Sequence, residues 1–197
     1  MKKIQDQIQT LRDFIANASH ELKTPLMVIS TKVDLALKKK DYKERLLQIQ
    51  SETNRISNLL ETLLFITKLE NTTQLEKVAV NLYDMLQDVV KGLEEKYQKN
   101  TINFRVEKTA TVQAHPRLLE IISKNLIENA YKHAGEQLQI TITATADGLT
   151  VSDTGKGIAP EIQDKIFERF WQLEKTEENG YSFGLGLYLV KKIVQLH

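Results

Sequence analysis

The sequence predicts an α plus α/β protein, in which an antiparallel helical hairpin that pairs into a dimeric four-helix bundle is followed by an α/β domain. Three observations carry that prediction. Through the first 70 or so residues apolar side chains recur in steps of three and four. From about Val78 short strand-like runs interleave with helical ones. Seven of the eight glycines fall after residue 134, which concentrates tight loops, and sites of close approach between backbone and ligand, in the second half.

The bulk composition narrows the class further. A chain of 197 residues with 41% hydrophobic and 27% charged content suits one or two small globular domains rather than a disordered segment. With 27 basic and 26 acidic residues the net charge is +1, so no electrostatic argument favours nucleic acid or an anionic membrane. The lack of cysteine excludes a disulfide framework and thiolate metal sites and fits a reducing compartment such as the cytoplasm. No apolar run approaches the roughly 20 residues that span a bilayer, and MKKIQDQIQ has no signal-peptide core. The chain is therefore expected to be soluble and to contain no membrane segment.

The first helix is written in Ile4, Ile8, Leu11, Ile15, Ala18 and Leu22, a heptad seam rather than a single-helix core stripe. Leu26, Ile29, Val33 and Ala36 continue it after two successive steps of four, so the seam is interrupted between His20 and Pro25. A polar break, KKKDYKE, leads to a second helix carrying Leu46, Ile49, Thr53, Ile56, Leu60, Leu63 and Thr67. One hairpin cannot cover a two-sided apolar seam, and pairing with a second copy is the simplest remedy. Asn71 to Gln74 reads as the linker, which gives domains of 1–72 and 73–197. Beyond it the runs VAVNL, TINFRV, ATVQA, LQITITATA and GLTVSD read as strands. The stretches 82–98, 116–133 and 184–196 read as helices.

Within FIANASHELKTPLMVI the imidazole faces away from the seam. At about 100° per residue, with Ala18 at zero, Leu22 falls near 40°, Ile15 near 60° and His20 near 200°. A lone helical histidine is ordinarily a solvated surface residue or a satisfied core partner. Here Glu21 lies beside it, Thr24 sits one turn on, and Pro25 cannot donate to the Glu21 carbonyl, which predicts a bend or loosening one turn after the histidine. An outward imidazole with a carboxylate ready to take its ring proton is suited to nucleophilic attack. This stretch resembles the phospho-acceptor box of two-component sensor histidine kinases. The resemblance implies that His20 receives the γ-phosphoryl group of ATP, that Glu21 acts as base, and that Thr24 orients water for dephosphorylation of a response regulator.

Three stretches of the second half carry polar and glycine patterns of their own. In ISKNLIENAYKHAG, Asn125 and Asn129 are four apart on one helix, with Glu128 and Lys132 adjacent. Two helical asparagines can be no more than a polar surface stripe, but carboxamide oxygens can also ligate Mg²⁺. VSDTGKGIAP ends a strand at Asp153, which can accept from the adenine amino group, and follows it with Gly155 and Gly157; a lone GxG is weak evidence, since turns use glycine freely. In YSFGLGLYLVKKIV, Gly184 and Gly186 open an apolar helix whose free N–H groups can meet phosphate oxygens, though an ordinary helix entry looks the same.

Together, in this order, the three stretches resemble the N, G1 and G2 boxes of the histidine-kinase catalytic domain, of the superfamily that includes gyrase and heat-shock protein 90. KIFERFWQ resembles the intervening F box. The resemblance implies an α/β sandwich that binds ATP between helices and sheet under a mobile lid from about Ile158 to Phe183. Carried over residue by residue, it implies Mg²⁺ at Asn125 and Asn129, adenine at Asp153, phosphate at Lys132, and His133 near the nucleotide. Gly155, Gly157, Gly184 and Gly186 shape the loops, and Arg169 is a lid arginine for the phosphates.

The match has departures. Gln172 stands where many members have a second arginine, and His115 stands where the family is usually acidic. The resemblance also implies a glycine pair and two further strands past His197, so the catalytic domain is expected to be truncated, and a membrane-tethered parent protein. The expected function is ATP-dependent autophosphorylation on His20, then transfer to a receiver-domain aspartate, by a homodimer. A serine kinase or plain ATPase of the same superfamily would not need the His20 to Pro25 box. A degenerate, catalytically weak dimeric docking scaffold is the alternative from another class.

Overall fold

A computed structural model of the chain describes residues 2–39, 42–97, 101–133, 139–145, 148–173 and 182–197. It divides into two compact units, Met1–Lys68 and Leu69–His197.

The first unit consists of helix α1 (Lys2–Lys39) and all but the last two residues of helix α2 (Tyr42–Glu70). The polar break between them is shorter than the sequence suggests. Lysine, tyrosine and glutamate are compatible with helix, so helical backbone reaches Lys39 and resumes at Tyr42. As the continued seam leads one to expect, α1 runs through Pro25 as one helix. The ring of Pro25 is fully buried, and that burial offsets part of the cost of the hydrogen bond lost at Glu21.

Within the single hairpin only part of the apolar surface is covered. Leu59 and Ile66, at 0% and 1% exposure, are the most deeply buried aliphatic side chains of α2, whereas Leu46 and Leu60 are exposed. Each helix carries more than one apolar stripe, and stepping by three and four along the sequence mixes them. On α1, Ile4, Ile8, Leu11 and Ile15 are all exposed.

The second unit follows the strand and helix order read from the sequence. Strand β1 (Val78–Asn81) runs into helix α3 (Leu82–Tyr97), which is followed by β2 (Thr101–Val106) and β3 (Thr111–Ala114). Then come helix α4 (Pro116–His133), strands β4 (Gln139–Thr145) and β5 (Gly148–Asp153), and helix α5 (Gly186–Leu196). Two 3₁₀ turns, Pro160–Ile162 and Lys165–Phe167, lie between β5 and α5; three residues each are too few to give a periodic signal. Asn81 caps α3, its side-chain oxygen accepting from the Asp84 amide at 3.2 Å. Pro116 opens α4, where its missing N–H costs nothing.

Strands β1 and β3 pair antiparallel, while β2, β4 and β5 form a second sheet with β4 in the centre, parallel to β2 and antiparallel to β5. Central β4 alternates, with Ile140, Ile142 and Ala144 buried to within 1%. Against them pack Leu82, Leu86, Val90 and Leu93 from α3 and Ile127, Ala130 and Tyr131 from α4, so helices cover one face of the sheet. Helix α4 touches both α3 and α5, with Leu189, Val190 and Ile193 the buried side of α5. This layer fixes α4 between the sheet and α5, and it is α4 that carries the asparagines.

Candidate functional site

Helix α4 holds Asn125 and Asn129 half-buried and Lys132 exposed. The side-chain nitrogen of Asn125 donates to the Ile121 carbonyl one turn back, at 2.8 Å, which leaves its oxygen facing away from its own helix backbone. That oxygen meets the start of α5: a β-carbon built on Gly186 would lie 2.7 Å from Asn125 Oδ1. The structure thus brings the first asparagine and the second glycine of the YSFGLGLYLV stretch together. A carboxamide oxygen is a hard, neutral donor, and here the amide nitrogen is held by its own helix, so Asn125 fits Mg²⁺. The side chain of His133 lies outside the described residues, as do residues 174–181 of the expected lid.

Asp153 is the exposed last residue of β5, in register with Ile140. Its Oδ1 accepts from the Gly155 amide at 2.8 Å, an Asx-type turn that closes the strand end. Thr154 ties the same turn to β4, exchanging two hydrogen bonds with the Gln139 backbone. Gly157 has φ 73° with open space where a β-carbon would stand, so backbone conformation, and not crowding, calls for glycine there. Gly184 is under both constraints. Its φ is 66°, and a β-carbon would come within 2.4 Å of the Trp171 carbonyl oxygen. The Phe170 amide donates to the Gly184 carbonyl at 3.0 Å, so the F-box segment and the second glycine pair are pinned backbone to backbone.

Arg169, the expected lid arginine, is engaged by protein groups. Its guanidinium is ion-paired with Glu70 and stacked on the Tyr188 ring, 4.8 Å from the centroid. The Tyr188 hydroxyl donates to the same Glu70 oxygen at 2.6 Å. Burial, reinforced by that hydrogen bond, raises the Tyr188 phenol above its ordinary pKa, with Arg169 opposing. Gln172, in the place of a second arginine, donates to the Ser182 carbonyl at 2.6 Å. Glu70 and Tyr188 were not singled out in the sequence: one closes a helix and the other sits in an apolar run, and neither pattern marks a contact partner.

In the first unit His20 is exposed on α1 and Glu21 half-buried. The Thr24 hydroxyl donates to the His20 carbonyl at a long 3.4 Å. An open hollow of about 270 Å³, lined by Thr24, Met27, Val28, Thr31 and Lys32, begins at this turn. Among the described residues no helix is long and apolar enough to cross a membrane.

Comparison with known proteins bears on both units. A family model described as the His Kinase A (phospho-acceptor) domain matches residues 10–72, and one described as histidine kinase-, DNA gyrase B- and HSP90-like ATPase matches residues 114–197. The sensor protein QseC of Escherichia coli K12 is 32% identical over 198 residues, which cover 94% of this chain and 43% of that protein. The chain thus spans less than half the length of that curated relative. Among solved structures, the Acinetobacter baumannii histidine kinase AdeS has the same fold, with a TM-score of 0.72 at 23% identity, covering 90% of this chain and 86% of that one. Histidine kinase ThkA, solved in complex with the response regulator protein TrrA, matches with a TM-score of 0.68 at 24% identity, over 87% and 54% of the two chains.

Proposed function

The chain belongs to the two-component sensor histidine kinases, and from that premise we propose that it moves the γ-phosphoryl group of ATP onto its own His20 and passes it to an aspartate of a receiver domain. The observation that supports the reading best is the meeting of Asn125 with Gly186, which sets an amide oxygen, a donor suited to a hard cation, beside a helix start, whose N–H groups suit phosphate. Asn125 and Asn129 would hold Mg²⁺, which would supply charge neutralisation at the phosphate oxygens. Asp153 holds the adenine amino group, and Lys132 meets phosphate.

Phosphoryl transfer leaves a protein mostly positioning to do. The exposed His20 nitrogen attacks the γ-phosphorus, the N–P bond forms as the bond to the departing ADP oxygen breaks, and Glu21 takes the ring proton. The phosphoramidate then gives its phosphoryl group to the receiver carboxylate and His20 is restored. Thr24, one turn along the same face, orients water in the reverse, dephosphorylating direction. ThkA's complex with a response regulator supports the choice of acceptor. Pairing into a homodimer and tethering of the full protein to a cell membrane belong to the same proposal.

Incubation with labelled ATP and Mg²⁺ tests it. The unmodified chain should acquire acid-labile, base-stable phosphate, and His20→Gln should lose that label while still binding nucleotide. Label retained in His20→Gln refutes the assignment. Acid-stable label would indicate a serine kinase, free phosphate without label an ATPase, and neither product a docking scaffold.

A further inference from the structure

The segment Lys165–Gln172 is gripped from one side by α5. Lys191 lies over the Phe167 ring at 5.9 Å, and one turn earlier Tyr188 lies under the Arg169 guanidinium at 4.8 Å. Glu70 completes the second contact, with one carboxylate oxygen shared by the Arg169 guanidinium and the Tyr188 hydroxyl. The Glu70 and Arg169 side chains are only 31% and 22% exposed, so water screens the pair less than an ordinary surface pair. We propose that Glu70, Arg169 and Tyr188 form a brace that sets the position of the F-box segment, and that Arg169 serves phosphoryl transfer as a positioning residue, not as a phosphate ligand. The inference rests on reading this unit as a nucleotide-binding domain.

What the brace holds is visible in the next residues. Phe170 has φ 62°, a left-handed conformation that a non-glycine residue keeps only where its surroundings dictate it. Its amide bonds to Gly184, the Trp171 carbonyl leaves no room for a β-carbon on Gly184, and two residues on Gly186 abuts the Asn125 oxygen. A continuous set of contacts therefore runs from Glu70 through Arg169 and the Phe170 backbone to the proposed metal ligand. Drawing Arg169 onto a phosphate would break its ion pair with Glu70 and its stack on Tyr188, the contacts that hold the chain immediately before Phe170. The Tyr188 hydroxyl bond is spent on the same carboxylate, which reinforces the arrangement in place.

Three variants of the full chain test the brace: Glu70→Gln, Arg169→Gln and Tyr188→Phe, the last keeping the ring under the guanidinium. Without nucleotide, hydrogen exchange at the Phe170 amide should quicken about tenfold in the first two and less in Tyr188→Phe, with the Glu70→Gln/Arg169→Gln double variant no faster than either. With ATP, the maximal rate of His20 labelling should fall together in Glu70→Gln and Arg169→Gln, while affinity for a fluorescent ATP analogue changes by less than about threefold. A charge-swapped Glu70→Arg/Arg169→Glu pair should recover part of the rate. Tighter nucleotide binding in Glu70→Gln with weaker binding in Arg169→Gln would make Arg169 a phosphate ligand and overturn the proposal, as would unchanged exchange at Phe170. If the unmodified chain binds no nucleotide, the reading of this unit as an ATP-binding domain fails, while the exchange measurement still decides the brace.

Discussion

The amide oxygen of Asn125 lies 2.7 Å from the point where a β-carbon would stand on Gly186. Among the described residues, and leaving aside its own helix and chain neighbours, the other atom within 4 Å of that point belongs to the same side chain, so a methyl group there would press on the end of a side chain. In Gly186→Ala the alanine should be neutral or slightly favourable for the helix, by up to about 1 kcal/mol, while Asn125 is driven off its position. Thermal unfolding is expected to stay within a few degrees of the unmodified chain, and affinity for Mg-nucleotide to fall at least about tenfold. Unchanged affinity would remove Asn125 from the site.

Two residues earlier the same substitution has a different price. Gly184 combines φ 66° with backbone atoms of Phe170 and Trp171 within 3 Å of the would-be β-carbon. Left-handed strain and forced movement of a neighbouring strand of backbone add, so Gly184→Ala should destabilise the second unit by about 3 kcal/mol. Denaturant titration of the full chain, read at Trp171, the single tryptophan, measures it.

Reading these boxes in the sequence was possible because each sets an uncommon residue type beside a strand or helix end. The boundaries were legible for the same reason. TINFRV became β2 at Thr101–Val106, and the stretch 116–133 became α4, started by a proline that only a first turn accepts. What escaped was anything decided by packing between distant residues. Glu70 meets Arg169 and Tyr188 across 99 and 118 positions, and no local pattern records such a pair. The stripe of α2 that is buried, at Leu59 and Ile66, could not be told from its other stripe by spacing alone. That α1 continues past Pro25 was legible, since Leu26, Ile29, Val33 and Ala36 carry the seam on, but the full burial of the proline ring was not.

The Tyr188 phenol gives a pH signature. Burial and the bond to Glu70 favour its protonated form in the folded state and raise its pKa above the ordinary value near 10. A folded state that holds the proton more tightly than the unfolded chain gains stability that is fully present below about pH 10 and is lost as pH climbs through the raised folded value. Denaturant midpoints should therefore fall more steeply above pH 10 for the unmodified chain than for Tyr188→Phe, and the two should run parallel below it. Phenolate absorbance of the folded protein should show one tyrosine titrating late, absent in the variant.

Ile4, Ile8, Leu11 and Ile15 are between 46% and 62% exposed, and their steps of four, three and four place them along one side of α1. Each such side chain gains about 1.5–3 kcal/mol on full burial, so a continuous row of four has a strong tendency to find an apolar partner, and an identical row on a second copy is the surface of matching period. The double variant Ile8→Asp/Ile15→Asp places two carboxylates in that row without touching the buried positions Pro25, Leu59 and Ile66. Light scattering should give the mass of a dimer for the unmodified chain and of a monomer for the variant, with helical circular dichroism largely retained. A variant that remains dimeric would show that the row is not where two copies meet.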